Sequence, residues 1–165
     1  GSHTNIKILE NEKNNLNKIL TANKKIDNSR QHYIKYTLPN SFENLINTGI
    51  FNDYSLGYGS INGFRASTCT PHFWFNIKKN CITNLKLFPF CFMDANSFYE
   101  QHFTCNEAEQ EMIYFYKICK KYNGVFVSIW HNFILGTNKS FKGWKQAYEN
   151  ALNFITENEK VNKLF

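Results

Sequence analysis

Three polar residues stand where chemistry is usually placed in an α/β protein. Asp94 is the single charge that closes the apolar run Leu85 to Met93, and His131 follows the apolar run Val125 to Trp130. Arg65 sits just after a loop framed by Gly57, Gly59 and Gly63. Ligands in folds of alternating strands and helices bind at the carboxyl ends of the strands, which makes Arg65, Asp94 and His131 site candidates by position. Their types suit acid–base work. A histidine titrates near neutrality, a carboxylate beside it favours its protonated form, and arginine offers a fixed fork of donors to clamp a carboxylate. Each also has an ordinary reading: His131 as a satisfied strand-end residue, Asp94 as a cap on Asn96 to Tyr99, and Arg65 as a surface charge.

Those positions depend on the elements around them. Ile8, Leu9, Leu16, Ile19 and Leu20 recur at helical spacing, predicting an amphipathic helix. His32 to Tyr36 alternates like a strand, which Pro39-Asn40 stops. Asn40 with Glu43 resembles a capping box, and Gly49 is placed to end that short helix in a left-handed conformation. Ile50 to Leu56 and the near-continuous run Leu85 to Met93 predict two further strands, the second parallel and covered on both faces. Thr104 with Glu107 forms a capping box ahead of Ala108, Met112, Phe115, Cys119 and Tyr122 at helical steps, and Gly124 ends that helix. Val125 to Trp130 predicts another strand, and Phe141 to Asn158 a last helix with Trp144, Tyr148, Leu152 and Ile155 inward. The alternation implies βα units in one domain, residues 1–165, with a mainly parallel sheet or barrel.

Composition narrows the classes. With 165 residues, 42% hydrophobic and 19% charged, the chain has too much apolar and too little charged mass to be disordered. No apolar stretch approaches the ~20 residues of a membrane span, and no export signal precedes the first helix, so a cytoplasmic location is expected. The net charge of +6 raises the question of nucleic acid, but the lysines lie singly or in pairs such as Lys24-Lys25 and Lys78-Lys79, and no nucleic-acid partner is expected. Cys69, Cys81, Cys91, Cys105 and Cys119 are odd in number and widely spaced, as buried thiols of a reducing compartment would be.

The segments Gly63-Phe64-Arg65-Ala66-Ser67-Thr68, Pro89-Phe90-Cys91-Phe92-Met93-Asp94 and Trp130-His131-Asn132 come in an order and spacing that resembles the polysaccharide deacetylases, the NodB-homology or carbohydrate esterase family 4 group. Ser29-Arg30-Gln31-His32-Tyr33 looks like a segment of one bacterial branch of that family, and the similarity runs from about Leu9 onward. The resemblance implies a distorted (β/α) barrel that binds a divalent metal, usually zinc, and hydrolyses N-acetyl or O-acetyl groups on a saccharide. Carried over, Arg65 matches the arginine that orients a catalytic aspartate, Asp94 the fourth-motif aspartate, and His131 the fifth-motif histidine that protonates the departing amine. Trp130, Asn132 and Tyr58 then become substrate-binding candidates.

The chain also departs from the pattern. The family's first motif, an Asp-Asp pair supplying a base and a metal ligand, has no counterpart here. The second, H-[ST]-x-x-H, begins at His3-Thr4 but meets Lys7 where its second histidine belongs, so His3 and His32 are the metal candidates. Gly1-Ser2-His3 equally reads as the remnant of a cleaved tag. The third motif reads Arg65-Ala66-Ser67-Thr68 in place of Arg-x-Pro-aromatic. The expectation is therefore an incomplete barrel lacking its first strand or strands, the C-terminal portion of a deacetylase-like hydrolase acting on carbon–nitrogen bonds, and inactive by itself. The alternative is a non-catalytic carbohydrate-binding module that retains the cleft without the chemistry.

Overall fold

The computed structural model describes residues 5–20 and 25–161. Sheet pairing and helix packing divide the chain into two compact units, one comprising Gly1–Leu56 with Pro71–Pro89 and the other Gly57–Thr70 with Phe90–Phe165. The architecture is mixed α/β with a partly parallel sheet, and the strands found among the described residues do not close into a barrel.

In the first unit, helix α1 (Ile6–Ile19) starts where the Asn5 side chain accepts hydrogen bonds from the Lys7 and Ile8 amides at 3.1 and 3.3 Å. Its period is as expected, but only Leu9 is buried, and Ile8, Leu16 and Ile19 remain exposed. The helix earns its place through a cation as well: Lys13 Nζ donates to the Thr48 carbonyl and, at 2.9 Å, to the Gly49 carbonyl. Those carbonyls end helix α2 (Asn40–Asn47), where positive charge is favoured by the helix dipole. Gly49 takes φ +71°, the left-handed end that the sequence predicts. The capping box expected at Asn40 and Glu43 does not form. Asn40 lies inside the helix, the capping position is Pro39, and the Glu43 carboxylate instead accepts from Asn76 Nδ2 and pairs with Lys79, both at 2.9 Å.

The sheet of this unit runs β1 (Asn28–Ser29), β2 (Asn52–Asp53), β4 (Cys81–Leu87), β3 (His72–Asn76), with the first three parallel and β3 antiparallel to β4. The strand expected at His32 to Tyr36 is a single 3₁₀ turn, His32–Ile34, and the strand lies just upstream. The chain leaves the ladder at Gln31, whose amide donates to the Ser55 hydroxyl at 2.8 Å, and Tyr33 and Ile34 then adopt positive φ. The expected strand Leu85 to Met93 is divided in two, because Pro89 carries no amide to continue a ladder. Phe42, Leu45, Ile50, Leu85 and Leu87 form the core, with Trp74 edge-on to Phe42.

In the second unit, β5 (Phe92–Met93) pairs in parallel with β6 (Ser128–Ile129). Helix α3 (Cys105–Lys121) carries the predicted capping box: the Thr104 amide donates to Glu107 Oε2 at 2.8 Å, and the Glu107 amide to Thr104 Oγ1 at 3.3 Å. Thr104→Ala should therefore lower the unfolding free energy by about 1 kcal/mol in urea titrations. Helix α4 (Trp144–Val161) packs along α3, with Trp144, Ala147 and Ala151 buried and Tyr116 donating to Glu159 at 2.6 Å.

The cysteines are free, and Cys69, Cys91 and Cys119 are buried as expected, but Cys81 is exposed on β4. Cys119 bonds to both other buried thiols; that contact and burial hold Cys91 well above the ordinary thiol range, and burial with Cys119 pushes Cys69 the same way. Cys91 and Cys69 are therefore poor nucleophiles, whereas the contact with Cys91 holds the Cys119 thiol below its ordinary range. Gly124, which ends α3 as expected, is wedged against this cluster: a Cβ there would lie 2.2 Å from Cys69 Sγ and 2.9 Å from its carbonyl oxygen. Gly124→Ala should destabilise by about 2 kcal/mol through overpacking, read as a lower urea midpoint at unchanged slope. Among the described residues no helix is long and apolar enough to cross a membrane.

Candidate functional site

The parallel pairing of β5 with β6 puts Met93 beside Ile129, so the residues that follow both strands emerge at the same edge. Asp94 follows one and Trp130-His131 the other. Asp94 is fully buried, and its carboxylate is filled from three directions. Oδ2 accepts the His131 amide at 2.6 Å, while Oδ1 accepts the Ala95 amide at 2.7 Å and lies 2.6 Å from His131 Nδ1. An aspartate that held only the following helical turn would bond the turn's amides and nothing else; here the same carboxylate grips both the backbone and the ring of a residue 37 positions away.

That grip decides what the imidazole can do. With Nδ1 donating to Asp94, the neutral ring must carry its lone pair at Nε2, which no described residue bonds, and the His131 side chain is 36% exposed. Nε2 is therefore the ring atom open to solvent or a bound molecule. Phe133 flanks it at 5.2 Å between ring centroids.

The other candidates are distributed as follows. Arg65 is exposed, and its Nη1 donates to the Gly57 carbonyl at 3.1 Å, whereas the hydrogen bonds that fill Asp94 come from Ala95 and His131. Arg65 thus fastens its own loop. Gly57 is buried against Phe90, whose ring would lie 2.2 Å from a Cβ there. Trp130 packs among Phe92, Trp144 and Tyr148 at ring distances of 5.5, 6.4 and 4.8 Å, so its indole serves the core beneath the site. Asn132 and Tyr58 are exposed.

Two asparagines that the sequence reading passes over hold the site together. Asn62 Oδ1 accepts the Met93 amide at 2.8 Å, one residue before Asp94, and its Nδ2 donates to Glu111 at 2.6 Å and Ser97 at 2.8 Å. Asn96 Nδ2 donates to the carbonyls of Tyr58 and Ile61 at 3.1 and 2.8 Å. The loop of residues 57–63 is thus tied to the end of β5 by amide side chains. The available signal was their place, one inside the glycine-framed loop and one two residues after Asp94.

A third overlooked residue lies in the first unit. Asp53 ends β2, is fully buried, and accepts from the Ser55 amide and hydroxyl, both at 2.9 Å. Burial without a cation raises its carboxyl from 3.8 to about 6.

Of the metal candidates, His3 lies outside the described residues. His32 is exposed in the 3₁₀ turn of the first unit, its ring 4.3 Å from that of Tyr33. A catalytic zinc takes about three protein ligands, and no group of three or more His, Cys, Asp or Glu side chains able to hold a metal is assembled among the described residues. His32 alone does not make that ligand set.

The chain was compared with family models, with curated proteins and with solved structures. It matches none of them.

Proposed function

We propose that this chain is part of a polysaccharide deacetylase-like hydrolase, an incomplete (β/α) barrel in which His131 serves as the proton-transferring residue and Asp94 positions it. The Asp94–His131 pair at the ends of adjacent parallel strands carries the reading. Deacetylation adds the oxygen of water to the acyl carbon and breaks the bond to nitrogen or to the sugar oxygen, and the departing group must gain a proton. Protonated His131 would offer one at Nε2, the open side of the ring, while Asp94 holds the ring from the opposite side. The order of Arg65, Asp94 and His131 along the chain, and the resemblance of their surrounding motifs, supports assigning this acid–base pair to an acetylated saccharide. A divalent metal, zinc by the same resemblance, would polarise the acyl group, and its ligands would have to include donors other than His32.

A buried carboxylate holding the far side of an imidazole is the arrangement that proton transfer uses, which favours the hydrolase over the glycan-binding module. Acetate release from acetylated chito-oligosaccharides in the presence of zinc tests the proposal. The 165-residue chain by itself is expected to release little acetate, because the described donors do not make a zinc site. Robust, chelator-sensitive release by the chain alone would show that the missing first motif is replaced from within it. The absence of release from the protein with that motif present would overturn the hydrolase assignment itself.

A further inference from the structure

The β3–β4 hairpin is apolar on both faces. Its inward side supplies Trp74, Leu85 and Leu87 to the core of the first unit. Its outward side carries Phe73, 54% exposed, and Phe75, 44% exposed, with Ile82 at 71% and, where the strands turn, Ile77 at 86%. Phe75 lies directly opposite Ile82 and Phe73 opposite Lys86, so these side chains share one face. Isolated exposed apolar residues are ordinary, but four on one hairpin, with only Asn84 exposed between Ile82 and Lys86, are a grouping of the kind that marks an interaction surface.

We infer that the outward face and tip of this hairpin dock on an anionic lipid surface. The charges decide between occupants. From His72 to Phe88 the chain contains Lys78, Lys79 and Lys86 and no acidic residue. Glu43 of α2 pairs with Lys79 at 2.9 Å, and the Lys79 side chain is still 61% exposed; Lys86 Nζ lies 5.5 Å above the Phe88 ring. The hairpin therefore carries apolar side chains along its strands and Ile77 at its turn, with Lys78 and Lys79 beside Ile77 and Lys86 further along β4, the arrangement that inserts aliphatic and aromatic groups below lipid headgroups while lysines meet the phosphates. A second copy of the chain fits poorly, since the hairpin brings lysines and no acidic residue to such a contact, and nothing on this face would pair with them. Strand addition to β3, which is an edge strand, is hindered by the irregular register between Phe73 and Phe75. A bilayer also needs no preformed pocket to receive Ile77, which a protein partner would have to supply.

The test is co-sedimentation of the full chain with vesicles of phosphatidylcholine alone and with vesicles containing about a quarter phosphatidylglycerol, near 0.1 M salt, where the screening length is about 10 Å. The chain is expected to pellet with the anionic vesicles and to be released as salt approaches 1 M. Ile77→Asp and, separately, Lys78→Glu should each weaken that binding about tenfold or more, whereas Ile19→Asp, also at an exposed position but on α1, should leave it unchanged. Both hairpin variants lie on the surface, and an unchanged unfolding midpoint shows that either has folded. Equal pelleting with both kinds of vesicle, no pelleting with either, or full binding by both hairpin variants would overturn the inference. So would a dimer in sedimentation velocity that Ile77→Asp converts to monomer, which would assign the face to a second copy.

Discussion

In the active protein, His131→Ala is expected to lower turnover by on the order of 10² to 10⁴ while leaving metal content nearly unchanged. The ring is held by Asp94 through Nδ1 and open at Nε2, so under the proposed function its removal takes away the group that would protonate the departing amine and leaves other groups in place. Asp94→Asn probes the same pair from below. Asparagine keeps one acceptor oxygen where the carboxylate has two, so it cannot hold the Ala95 amide, the His131 amide and Nδ1 together, and the ring loses its fixed seat. Turnover should again fall by on the order of 10² or more, with the substrate KM little changed, because a wrongly held proton donor fails mainly in the transition state. Steady-state kinetics beside metal analysis separates the possible roles. If His131→Ala empties the protein of metal, His131 is a ligand, and if turnover is untouched, the strand-end histidine is structural. His32→Ala should show the reverse pattern, losing metal first, if that residue is a ligand.

The second large effect concerns stability. Asp53 is fully buried beside Ser55, with its carboxyl raised from 3.8 to about 6 by burial. A folded-state value above the unfolded one means that between those values the folded chain keeps a proton that the unfolded chain has released. The stabilisation is therefore fully present below about pH 4 and is lost as pH rises through about 6, by roughly 3 kcal/mol in total at 1.36 kcal/mol per pKa unit. Asp53→Asn removes this contribution. Asparagine is neutral at every pH and can still accept from the Ser55 amide, while the Ser55 hydroxyl, which now donates to the carboxylate, must turn to accept. The variant should be more stable than the wild type at pH 8 by on the order of 1–3 kcal/mol and lose that advantage near pH 4. Urea unfolding at the two pH values measures the difference. An equal loss of stability at both would mean that the carboxylate is better accommodated than its burial implies.

Hydrogen bonding also explains which parts of the molecule were legible beforehand. The capping box of Thr104 and Glu107, the left-handed Gly49, and the helical periods of α1, α3 and α4 involve partners within a few residues of one another, so residue type and spacing are sufficient to identify them. The same holds for the placement of Asp94 and His131 after apolar strands. Strands were less legible, because a strand exists only where a distant segment pairs with it. His32 to Tyr36 alternates as a strand should, but Ser55 captures the Gln31 amide and the chain turns. His72 to Asn76 forms a strand only because β4 pairs with it in a hairpin, and Pro89 cuts the longest apolar run in two.

By itself, then, the amino-acid sequence determined the presence of the helices, the capped start of α3 and the left-handed end of α2, the mixed α/β class, and the two polar residues worth joining across 37 positions. Only the tertiary structure decided that they are joined through both backbone and ring, that Arg65 serves Gly57, and that Asn62 and Asn96 tie the glycine loop to β5. It alone made Asp53 a buried acid and left Phe73, Phe75, Ile77 and Ile82 in water. The physical reason is common to all of these: a local hydrogen bond is specified by the residues that make it, whereas burial and long-range partners belong to the packed chain as a whole.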